Sequence, residues 1–479
     1  MNLANSLSEH STLEAINAIL ISGDQHQALR QELAAMLSSP YTLEHCQVRH
    51  ARFRPGHKLR ANFEARIRGE SGGQSLSRAL EVTWRPPRGK DSQDSDKAAN
   101  LREMQQEAVQ RGLASPFQHL FADRPNLGMR IQVSPIDLQF PQLIRMSDPN
   151  YLGEIAKEIS STDAARGLAC ASSRYRVTSI RYRPGRRHVL RYDCNLLPVH
   201  GTLFAKMYAG ENAARAYRVA TGVADWFEQH GRAISSLRPA AYLPTDAVVL
   251  YRQILGESLS QHLRDQSNSS ESAGRILKTV GQSLRTLHGM PRDFVGPQRL
   301  HDLKAEIKQI NRSCEHLPTL LPPVGKAIKT ILARAIELDE RLPREQPTFA
   351  HGDFISEHIW VTSMGLTLID FDNCVLADPA LDIGKFLADL QLLYAKHHLG
   401  NVAMAQEEFL SGYRTGMPVE RLLRARLFEA IKLAKMAARR VYVFEHEWAS
   451  RTARLVARAQ ALMADLEYTM GRTARQVSA

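Results

Sequence analysis

One arginine-rich pattern occurs twice in the first half of this chain, and it constrains the fold more than any other feature. VRHARFRPGHKLR (48–60) and VTSIRYRPGRRHVLR (177–191) share a valine, an Arg–aromatic–Arg–Pro–Gly core and two later basic residues. A Pro–Gly pair between two β-prone runs predicts a hairpin turn. The pattern therefore predicts two similar hairpins, and it suggests an internal duplication.

The residues after each hairpin support the duplication. Each copy continues with a strand-like run, a helical segment and a second strand-like run, and this shared order makes chance a poor explanation. In the first copy these are 80–84 (LEVTW), 101–114 and 128–133, and in the second they are 202–208 (TLFAKMY), 211–230 and 247–255. We also expect a surface loop at 88–97 and a helix at 151–160.

The second half of the chain has a different pattern. From residue 273 onward the apolar spacing is mostly helical, whereas 348–373 has short apolar runs broken by Gly, Asn and Asp. These patterns predict two strand-rich units followed by one helical unit with an insert of small strands and loops.

Composition places the chain among globular proteins of two or three packed units. It has 479 residues, of which 43% are hydrophobic and 23% charged. No apolar run reaches the eighteen or so residues of a membrane span, and the N-terminal stretch lacks the basic start of a signal peptide. Five scattered cysteines without paired spacing fit a reducing compartment, so we expect a cytoplasmic protein without a membrane partner.

The positive charge is concentrated in the first half. Residues 1–255 contain 33 Lys and Arg against 24 Asp and Glu, which accounts for nine of the net +12 charges. A basic half is typical of proteins with polyanionic ligands, although a solvated basic surface has the same composition. An anionic or protein partner is therefore compatible with this half, whereas nucleic acid is not expected, because no stacking motif or reader signature accompanies the charge.

The residues that suggest catalysis lie in HGDFISEHIW (351–360) and LIDFD (368–372). An aspartate on a short loop, a polar side chain five residues later and an aspartate at a strand end suit metal–nucleotide chemistry. Phosphoryl transfer needs a carboxylate that orients a hydroxyl, and it needs metal ligands near the phosphates. It also uses a strand lysine, and Lys206 lies within the apolar TLFAKMY, where an unpaired ammonium is costly to bury.

Residues 175–469 resemble the aminoglycoside phosphotransferase and choline kinase-like superfamily, which is related to protein kinases. HGDFISEH is similar to the catalytic loop of that family, and LIDFDNCVLADPALDIGKFLADL (368–390) to its metal-binding segment. LYRQILGESL (250–259), LRTLH (284–288) and FLSGYR (409–414) match further segments in the family's order. The resemblance implies an α+β, protein-kinase-like two-lobe fold.

The same resemblance implies a division into domains. It suggests a degenerate N-lobe-like domain at 1–150, a kinase-like N-lobe at 160–255 and a helical C-lobe at 256–479. The first copy has no lysine in LEVTW, where the alignment places Thr83 or a near neighbour at the position of Lys206. We therefore expect the first domain to bind no nucleotide, and to be either a docking or regulatory module or a relic.

The resemblance also implies roles for individual residues and the cofactors ATP and Mg²⁺. It assigns Asp353 as the catalytic aspartate, Asp370 as the principal magnesium ligand and His358 as the second metal position. It assigns the nucleotide contacts to Lys206, to Gly185 and Arg186 of the RPGRR turn, and to Gln253 and Leu255 of the hinge. His351, Asp378 and Asp382 are expected to brace the catalytic loop.

Two positions depart from the family pattern. His358 stands where the family usually has Asn, and magnesium prefers oxygen ligands, so this histidine either binds the metal, touches a phosphate or contacts a metal-bound water. The helix glutamate that should pair with Lys206 is also displaced, because Glu211 is early and Glu228 is late.

These residues predict an ATP- and Mg²⁺-dependent kinase that acts on a hydroxyl of a small molecule, such as a sugar, a polyol or another metabolite alcohol. The alternative is a nucleotide-binding pseudokinase with a regulatory or scaffold role, which the two departures favour. A divergent protein kinase fits the family resemblance less well.

Overall fold

The computed structural model describes residues 2–69, 75–86, 92–159, 175–194, 202–231, 233–265, 270–440 and 442–477. The strands, in chain order, are β1 (Thr42–Arg54), β2 (Lys58–Arg68), β3 (Leu76–Trp84), β4 (Phe121–Arg124), β5 (Met129–Val133), β6 (Tyr175–Arg183), β7 (Arg187–Cys194), β8 (Thr202–Met207), β9 (Ile234–Ser236), β10 (Ala241–Leu243), β11 (Val248–Arg252), β12 (Glu257–Ser258), β13 (Thr348–Ala350), β14 (Ile359–Thr362), β15 (Gly365–Leu368) and β16 (Val375–Ala377).

The α-helices, in chain order, are α1 (Leu3–Ser6), α2 (Leu13–Asn17), α3 (Asp24–Ala35), α4 (Ser92–Gln110), α5 (Gln142–Ser147), α6 (Tyr151–Ile159), α7 (Asn212–His230), α8 (Leu259–His262), α9 (Ser270–His288), α10 (Leu303–Ser313), α11 (Leu317–Leu320), α12 (Pro322–Arg341), α13 (Ala380–His397), α14 (Val402–Tyr413), α15 (Val419–Arg440) and α16 (Trp448–Val477).

The chain forms two compact units. The first comprises Met1–Arg215, Pro239–Gln253 and Tyr442–His446, and the second comprises Ala216–Arg238, Ile254–Val441 and Glu447–Ala479. Both strand-rich copies therefore belong to one unit. The finer division at 1–150, 160–255 and 256–479 stays a prediction.

The two copies of the hairpin pattern form two antiparallel sheets with the same strand order. The first sheet runs β1-β2-β3-β5-β4 and the second β6-β7-β8-β11-β10. Arg54 pairs with Lys58 across the first turn, as Arg183 pairs with Arg187 across the second. Gly56 and Gly185 have nearly equal φ values of 69° and 68°, which glycine adopts readily. The predicted duplication is confirmed.

Alternation of apolar and polar residues gives the first sheet one buried face. In β2 the odd positions from Leu59 to Ile67 are buried, whereas Lys58, Arg60 and Asn62 lie on the opposite face. The buried face packs Phe63 edge-on against Trp84, with ring centroids 6.1 Å apart. The first sheet therefore carries its basic residues on the face away from this core.

One expectation about the first copy is wrong in part. Residues 88–91 of the expected loop at 88–97 lie outside the described residues, but Ser92 to Lys97 form the start of α4. The Ser- and Asp-rich sequence suggested a loop, yet these residue types are also favoured at a helix N-terminus.

Residues between the two copies cover the apolar face of the second sheet. Phe140, Leu143 and Leu152 form a continuous core with buried side chains of the second sheet, including Tyr192 and Leu203. An apolar sheet face must be covered by another layer. Here α5 and α6 supply that layer.

The second unit is mainly helical. It contains the sheet β12-β14-β15-β9, in which β9 runs parallel to β15, and the antiparallel pair β13-β16. Among the described residues, no helix combines the length and apolar character that a membrane crossing requires. The predicted α+β fold, with an antiparallel-sheet lobe and a helical lobe, is confirmed.

Candidate active site

The HGD segment follows β13 as a tight loop. Gly352 has φ +74°, and a Cβ atom there would lie 2.1 Å from the backbone oxygen of Asn373. Only glycine fits both the conformation and the space. The loop thereby brings Asp353 close to the chain that follows Asp370, and the Asp353 side chain remains 30% exposed.

Asp370 lies just after the β14–β15 hairpin and has an unusual backbone. Its φ and ψ are 66° and 58°, in the left-handed region that non-glycine residues rarely adopt. Strain of this kind clusters at functional sites, where the surrounding structure holds it in place. The next residue, Phe371, is buried and fixes the turn.

His358 lies between Asp353 and Asp370. Its Nδ1 is 2.9 Å from the backbone oxygen of Asp353, and its Nε2 is 3.4 Å from Asp370 Oδ2. Because a carbonyl only accepts, Nδ1 carries the proton and donates it. Its Nε2 is thereby turned towards the Asp370 carboxylate, and an imidazole nitrogen beside a carboxylate is an arrangement that can hold a cation.

The HGD loop is braced by buried groups. Asp382 accepts hydrogen bonds from the amides of His351 (2.6 Å) and Gly352 (2.9 Å), and it lies 3.3 Å from Nε2 of His288. Burial alone would raise the pKa of Asp382, but the contacts with His288 and His351, including the hydrogen bond from the His351 amide, lower it below its usual value. The Asp382 carboxylate therefore stays ionised and holds the loop.

His351 connects the two predicted catalytic segments. Burial lowers the pKa of its imidazole, so the ring is neutral, and Nε2 donates to the backbone oxygen of Ile369 at 3.0 Å. Asp378 accepts from the Ala380 amide at 2.9 Å and pairs with Arg424. The contacts of His351 and Asp382 agree with the bracing roles expected for them, whereas those of Asp378 are with α13 and α15, so its bracing role stays a prediction.

One face of α13 contacts the HGD loop at several points, and two of its residues were not identified from the sequence. Lys385 Nζ lies 3.0 Å from Asp353 Oδ1, and Asp389 accepts from the Ser356 amide and hydroxyl at 2.8 and 2.6 Å. Lys385 and Asp389 are three and seven residues after Asp382, which places all three on one helix face. Charged residues at this spacing in an otherwise apolar helix were the available signal.

Lys206 belongs to the first unit. It lies on β8 opposite Val189 of β7 and Val249 of β11, and its side chain leaves the face opposite to the buried Ala205 and Met207. Its Nζ is 5.7 Å from the centroid of the Tyr208 ring. The β8 register therefore directs the lysine away from the apolar core.

The predicted phosphate-covering turn also lies in the first unit. The amide of Gly185 donates to Asp137 Oδ2 at 2.7 Å, and the same carboxylate oxygen is 2.7 Å from Nε2 of the buried His188. In this structure the Gly185 amide therefore contacts the segment that joins the two sheets. Arg186 is exposed.

The remaining predicted positions are divided between the units. Gln253, in the first unit, donates its amide to the Thr202 oxygen at 3.2 Å, whereas Leu255, in the second, is 64% exposed. Glu211 is exposed, and Glu228 pairs with Arg238 at 2.8 Å. Asp353, His358 and Asp370 are thus brought together within the second unit.

His358 and Asp370 are the two predicted site residues whose side chains lie side by side, where a metal could bind. Among the described residues, no group of three or more His, Cys, Asp or Glu side chains has metal-binding geometry. Magnesium commonly takes one or two protein carboxylates and completes its shell with water and substrate phosphates. The pair of Asp370 and His358 fits that mode better than a closed protein cage.

Comparison with known proteins gives one family and a set of remote structural likenesses. The model of the phosphotransferase enzyme family matches residues 179–423, just over half of the chain. No curated protein matches the sequence.

The similar solved structures include the GDP and kanamycin complex of APH(2″)-IIIa, at 14% identity over 64% of this chain and 98% of that chain, with a TM-score of 0.46. A choline/ethanolamine kinase family protein from Mesorhizobium loti is 17% identical over 65% and 94% of the two chains, with a TM-score of 0.42. Choline kinase from Cryptosporidium parvum is 13% identical over 66% and 96%, with a TM-score of 0.45.

Proposed function

We propose that this chain, which belongs to the phosphotransferase enzyme family, transfers the γ-phosphoryl group of ATP to a hydroxyl of a small molecule. The observation that supports this most is the arrangement of Asp353, His358 and Asp370 on loops that α13 braces. Phosphoryl transfer requires little covalent participation by the protein, and its rate depends on positioned carboxylates and compensating charge.

In this proposal Asp353 orients the acceptor hydroxyl and accepts its proton. A positioned carboxylate is suited to this role, and its partial exposure leaves it accessible to an acceptor. Lys385 holds the Asp353 carboxylate in place and adds a positive charge beside it. The acceptor class we infer is a sugar, a polyol or another metabolite alcohol.

Asp370 and His358 would hold Mg²⁺, which when bound neutralises charge on the transferring phosphates. His358 is positioned for this by the hydrogen bond from its Nδ1 to the Asp353 carbonyl. Lys206 would contact the nucleotide phosphates, and the backbone from Gln253 to Leu255 would receive the adenine. Gly185 and Arg186 are proposed nucleotide contacts of the turn, although the Gly185 amide must first leave Asp137 to serve a phosphate.

A pseudokinase is the second candidate, and a specific contact favours it. Lys385 already pairs with the Asp353 carboxylate, and Glu228 pairs with Arg238 instead of remaining available to Lys206. A carboxylate that stays paired is a weaker proton acceptor. Such a protein would bind nucleotide and act through its conformation or its partners.

One experiment separates the two candidates. ATP consumption by the full chain is measured with Mg²⁺ against a broad library of hydroxyl-bearing metabolites, with Asp353→Asn as the matched inactive control. Turnover that depends on one acceptor class and disappears in Asp353→Asn supports the kinase. Mg²⁺-dependent nucleotide binding without turnover on any member of the library favours the pseudokinase.

A further inference from the structure

LRTLH (284–288) and FLSGYR (409–414), two family-like segments that supply no residue to the proposed chemistry, meet at a buried hydrogen bond. His288 ends α9 and Tyr413 ends α14. The hydroxyl oxygen of Tyr413 lies 2.7 Å from Nδ1 of His288, and the two rings pack edge to face with centroids 5.6 Å apart. Tyr413 is fully buried and His288 is 8% exposed. The contact is therefore shielded from water.

Glycines at the crossing of α9 and α14 allow this contact. A Cβ atom on Gly412 would lie 1.9 Å from the Lys278 backbone oxygen, and one on Gly281 would lie 2.1 Å from the Phe409 backbone oxygen. Any side chain at either position would push the two helices apart. The close approach therefore fixes where the Tyr413 hydroxyl lies against α9.

Arg421, in the first turn of α15, extends the contact towards the surface. Its Nη1 lies 3.1 Å from the Tyr413 hydroxyl oxygen, and its Nε lies 2.8 Å from Oε1 of Glu345. Nη2 of the same guanidinium pairs with the other carboxylate oxygen of Glu345. The Arg421 and Glu345 side chains are 20% and 22% exposed. A two-point pair of this kind holds the guanidinium plane and keeps Nη1 directed at Tyr413.

The partners fix the direction of each hydrogen bond in the network of Glu345, Arg421, Tyr413, His288 and Asp382. A guanidinium only donates, so the Tyr413 oxygen accepts from Arg421, and its own proton is available to His288 Nδ1. Burial raises the pKa of Tyr413 to about 12, against the pull of Arg421, so the phenol keeps that proton at neutral pH. The ionised Asp382 only accepts, so His288 Nε2 carries the ring proton and donates it at 3.3 Å.

The inner end of the network is the HGD loop. Oδ2 of Asp382, which His288 contacts, also accepts from the His351 amide at 2.6 Å, and Oδ1 accepts from the Gly352 amide at 2.9 Å. Asp353 follows Gly352 directly. Because main-chain amides keep their protons at neutral pH, the network can position Asp353 but cannot conduct its proton.

We propose that Tyr413 and Arg421 are positioning residues of the phosphoryl transfer. They hold His288 as a donor to Asp382, and Asp382 in turn holds the HGD loop with Asp353 directed at the acceptor hydroxyl. The proposal rests on the proposed function of this site and adds no chemical step to it. Small misplacements of a reacting group lower the rate steeply, so a loosened network should affect kcat more than nucleotide binding.

A role in folding alone is the alternative for this network. The loss of any buried hydrogen bond lowers stability, whether or not the HGD loop moves. A folding role therefore predicts faster amide exchange across the second unit and an unchanged kcat of the folded protein. A positioning role predicts changes that are confined to the HGD loop and to kcat.

The test uses the full chain with Tyr413→Phe and Arg421→Gln. The first change removes one oxygen from the core, and the second alters a partly exposed side chain, so thermal melts should show both variants folded. Tyr394→Phe and Arg414→Gln are the matched controls. Tyr394 lies on α13 outside the network, and Arg414 pairs with the exposed Glu407.

Two measurements are made on each variant: hydrogen–deuterium exchange of the peptide that contains the His351 and Gly352 amides, and steady-state kinetics with an acceptor that supports turnover. We expect Tyr413→Phe to speed exchange of that peptide about fivefold and to lower kcat about tenfold, with the KM for ATP changed less than about twofold. Arg421→Gln should show the same pattern at about threefold, because the Tyr413 hydroxyl remains. The double variant should resemble Tyr413→Phe, since both changes act through one network.

Three results would overturn the proposal. Unchanged loop exchange in Tyr413→Phe would separate the network from the HGD loop, and faster exchange throughout the second unit would assign Tyr413 to folding alone. A kcat that falls equally in Tyr394→Phe, or a double variant with the product of the two single effects, would deny a shared positioning role. Loop exchange needs no acceptor, so it decides the positioning of the loop even if the unmodified chain gives no turnover, a result that would contradict the proposed function itself.

Discussion

At the scale of single residues, Asp353 gives the sharpest prediction. Asp353→Asn should lower kcat by about a hundredfold or more, because an amide cannot take up the proton of the substrate hydroxyl. Nucleotide affinity should be retained, since the proposed role of this residue concerns the acceptor. Steady-state kinetics and a fluorescent nucleotide titration measure the two quantities, and normal turnover of the variant would contradict the assignment.

His358 and Asp370 should respond differently to substitution. Asp370→Ala should abolish the magnesium dependence of nucleotide binding, whereas His358→Asn should retain or strengthen it, because an amide oxygen suits the hard ion better than an imidazole. Titration of Mg²⁺ against a fluorescent nucleotide analogue compares the two variants. If His358→Asn loses binding, the imidazole has a role that an oxygen ligand does not replace.

The contact between Lys385 and Asp353 could not be predicted from the sequence. The segment 368–390 was identified by its resemblance, but the contact between Lys385 and Asp353 joins residues that are far apart in sequence and meet only through the packing of α13. Lys385→Met, which keeps the length of the side chain, should lower kcat about tenfold or more while the KM for ATP changes little. An unchanged kcat would remove Lys385 from the proposed mechanism.

At the scale of elements, a buried charge cluster joins α10 to α15. Glu306 accepts from Lys432 and Lys435 at 2.9 and 2.8 Å, and it lies 2.8 Å from Nε2 of His301. Burial opposes the charge on Glu306, yet these partners hold its pKa well below the usual range. Burial, and then the repulsion from Lys432, lowers the pKa of Lys435 to about 7.

This cluster predicts a pH dependence of stability. Because the pKa of Lys435 is lower in the folded than in the unfolded protein, the folded protein binds fewer protons at this side chain between about pH 7 and pH 10.5. Lys435 therefore makes the free energy of unfolding rise with pH over that range. Urea titrations at pH 7 and pH 9 should show this rise, and Lys435→Met should reduce it by up to about 2 kcal/mol.

The exposed Lys308 of α10 provides the control for that measurement. Lys308→Met should leave the rise between pH 7 and pH 9 as it is in the unmodified chain. Equal slopes for Lys435→Met and the unmodified chain would show that the buried ammonium is not the group responsible.

Sequence patterns predicted the elements better than their ends. The hairpin turns and the strands around LEVTW and TLFAKMY follow from alternation and from Pro–Gly pairs, both of which are local signals. The start of α4 did not follow, because residues 92–97 are polar and show no apolar spacing. The signal that was missed is also local, because Ser and Asp are favoured at a helix N-terminus.

At the scale of the whole molecule, the family and the duplicated fold were predictable, because motif order and strand order are both written along the chain. The helical layer that packs on the second sheet was not predictable. Phe140, Leu143 and Leu152 belong to a stretch between the copies that shows no repeat, yet they complete the core of the second sheet. Which layer covers a sheet depends on tertiary contacts that a local pattern does not encode.

The packing of α5 and α6 on the second sheet predicts different outcomes for two truncations. Removing residues 1–159 takes away Phe140, Leu143 and Leu152, and it exposes the apolar face that carries Tyr192 and Leu203. Burial of such side chains contributes roughly 1.5–3 kcal/mol each, so we expect this truncation to be insoluble or unfolded. Removing only residues 1–134 keeps α5 and α6, and with them the core.

We therefore expect the shorter truncation to remain folded and to bind nucleotide. Expression yield, thermal melting and nucleotide titration of the two truncated chains compare these outcomes. If the chain that begins at residue 160 is as stable as the full protein, the second sheet does not need α5 and α6 to fold. If both truncations fail alike, the first sheet itself supports the second through contacts such as that of Gln132 Nε2 with Tyr182 Oη, at 3.4 Å.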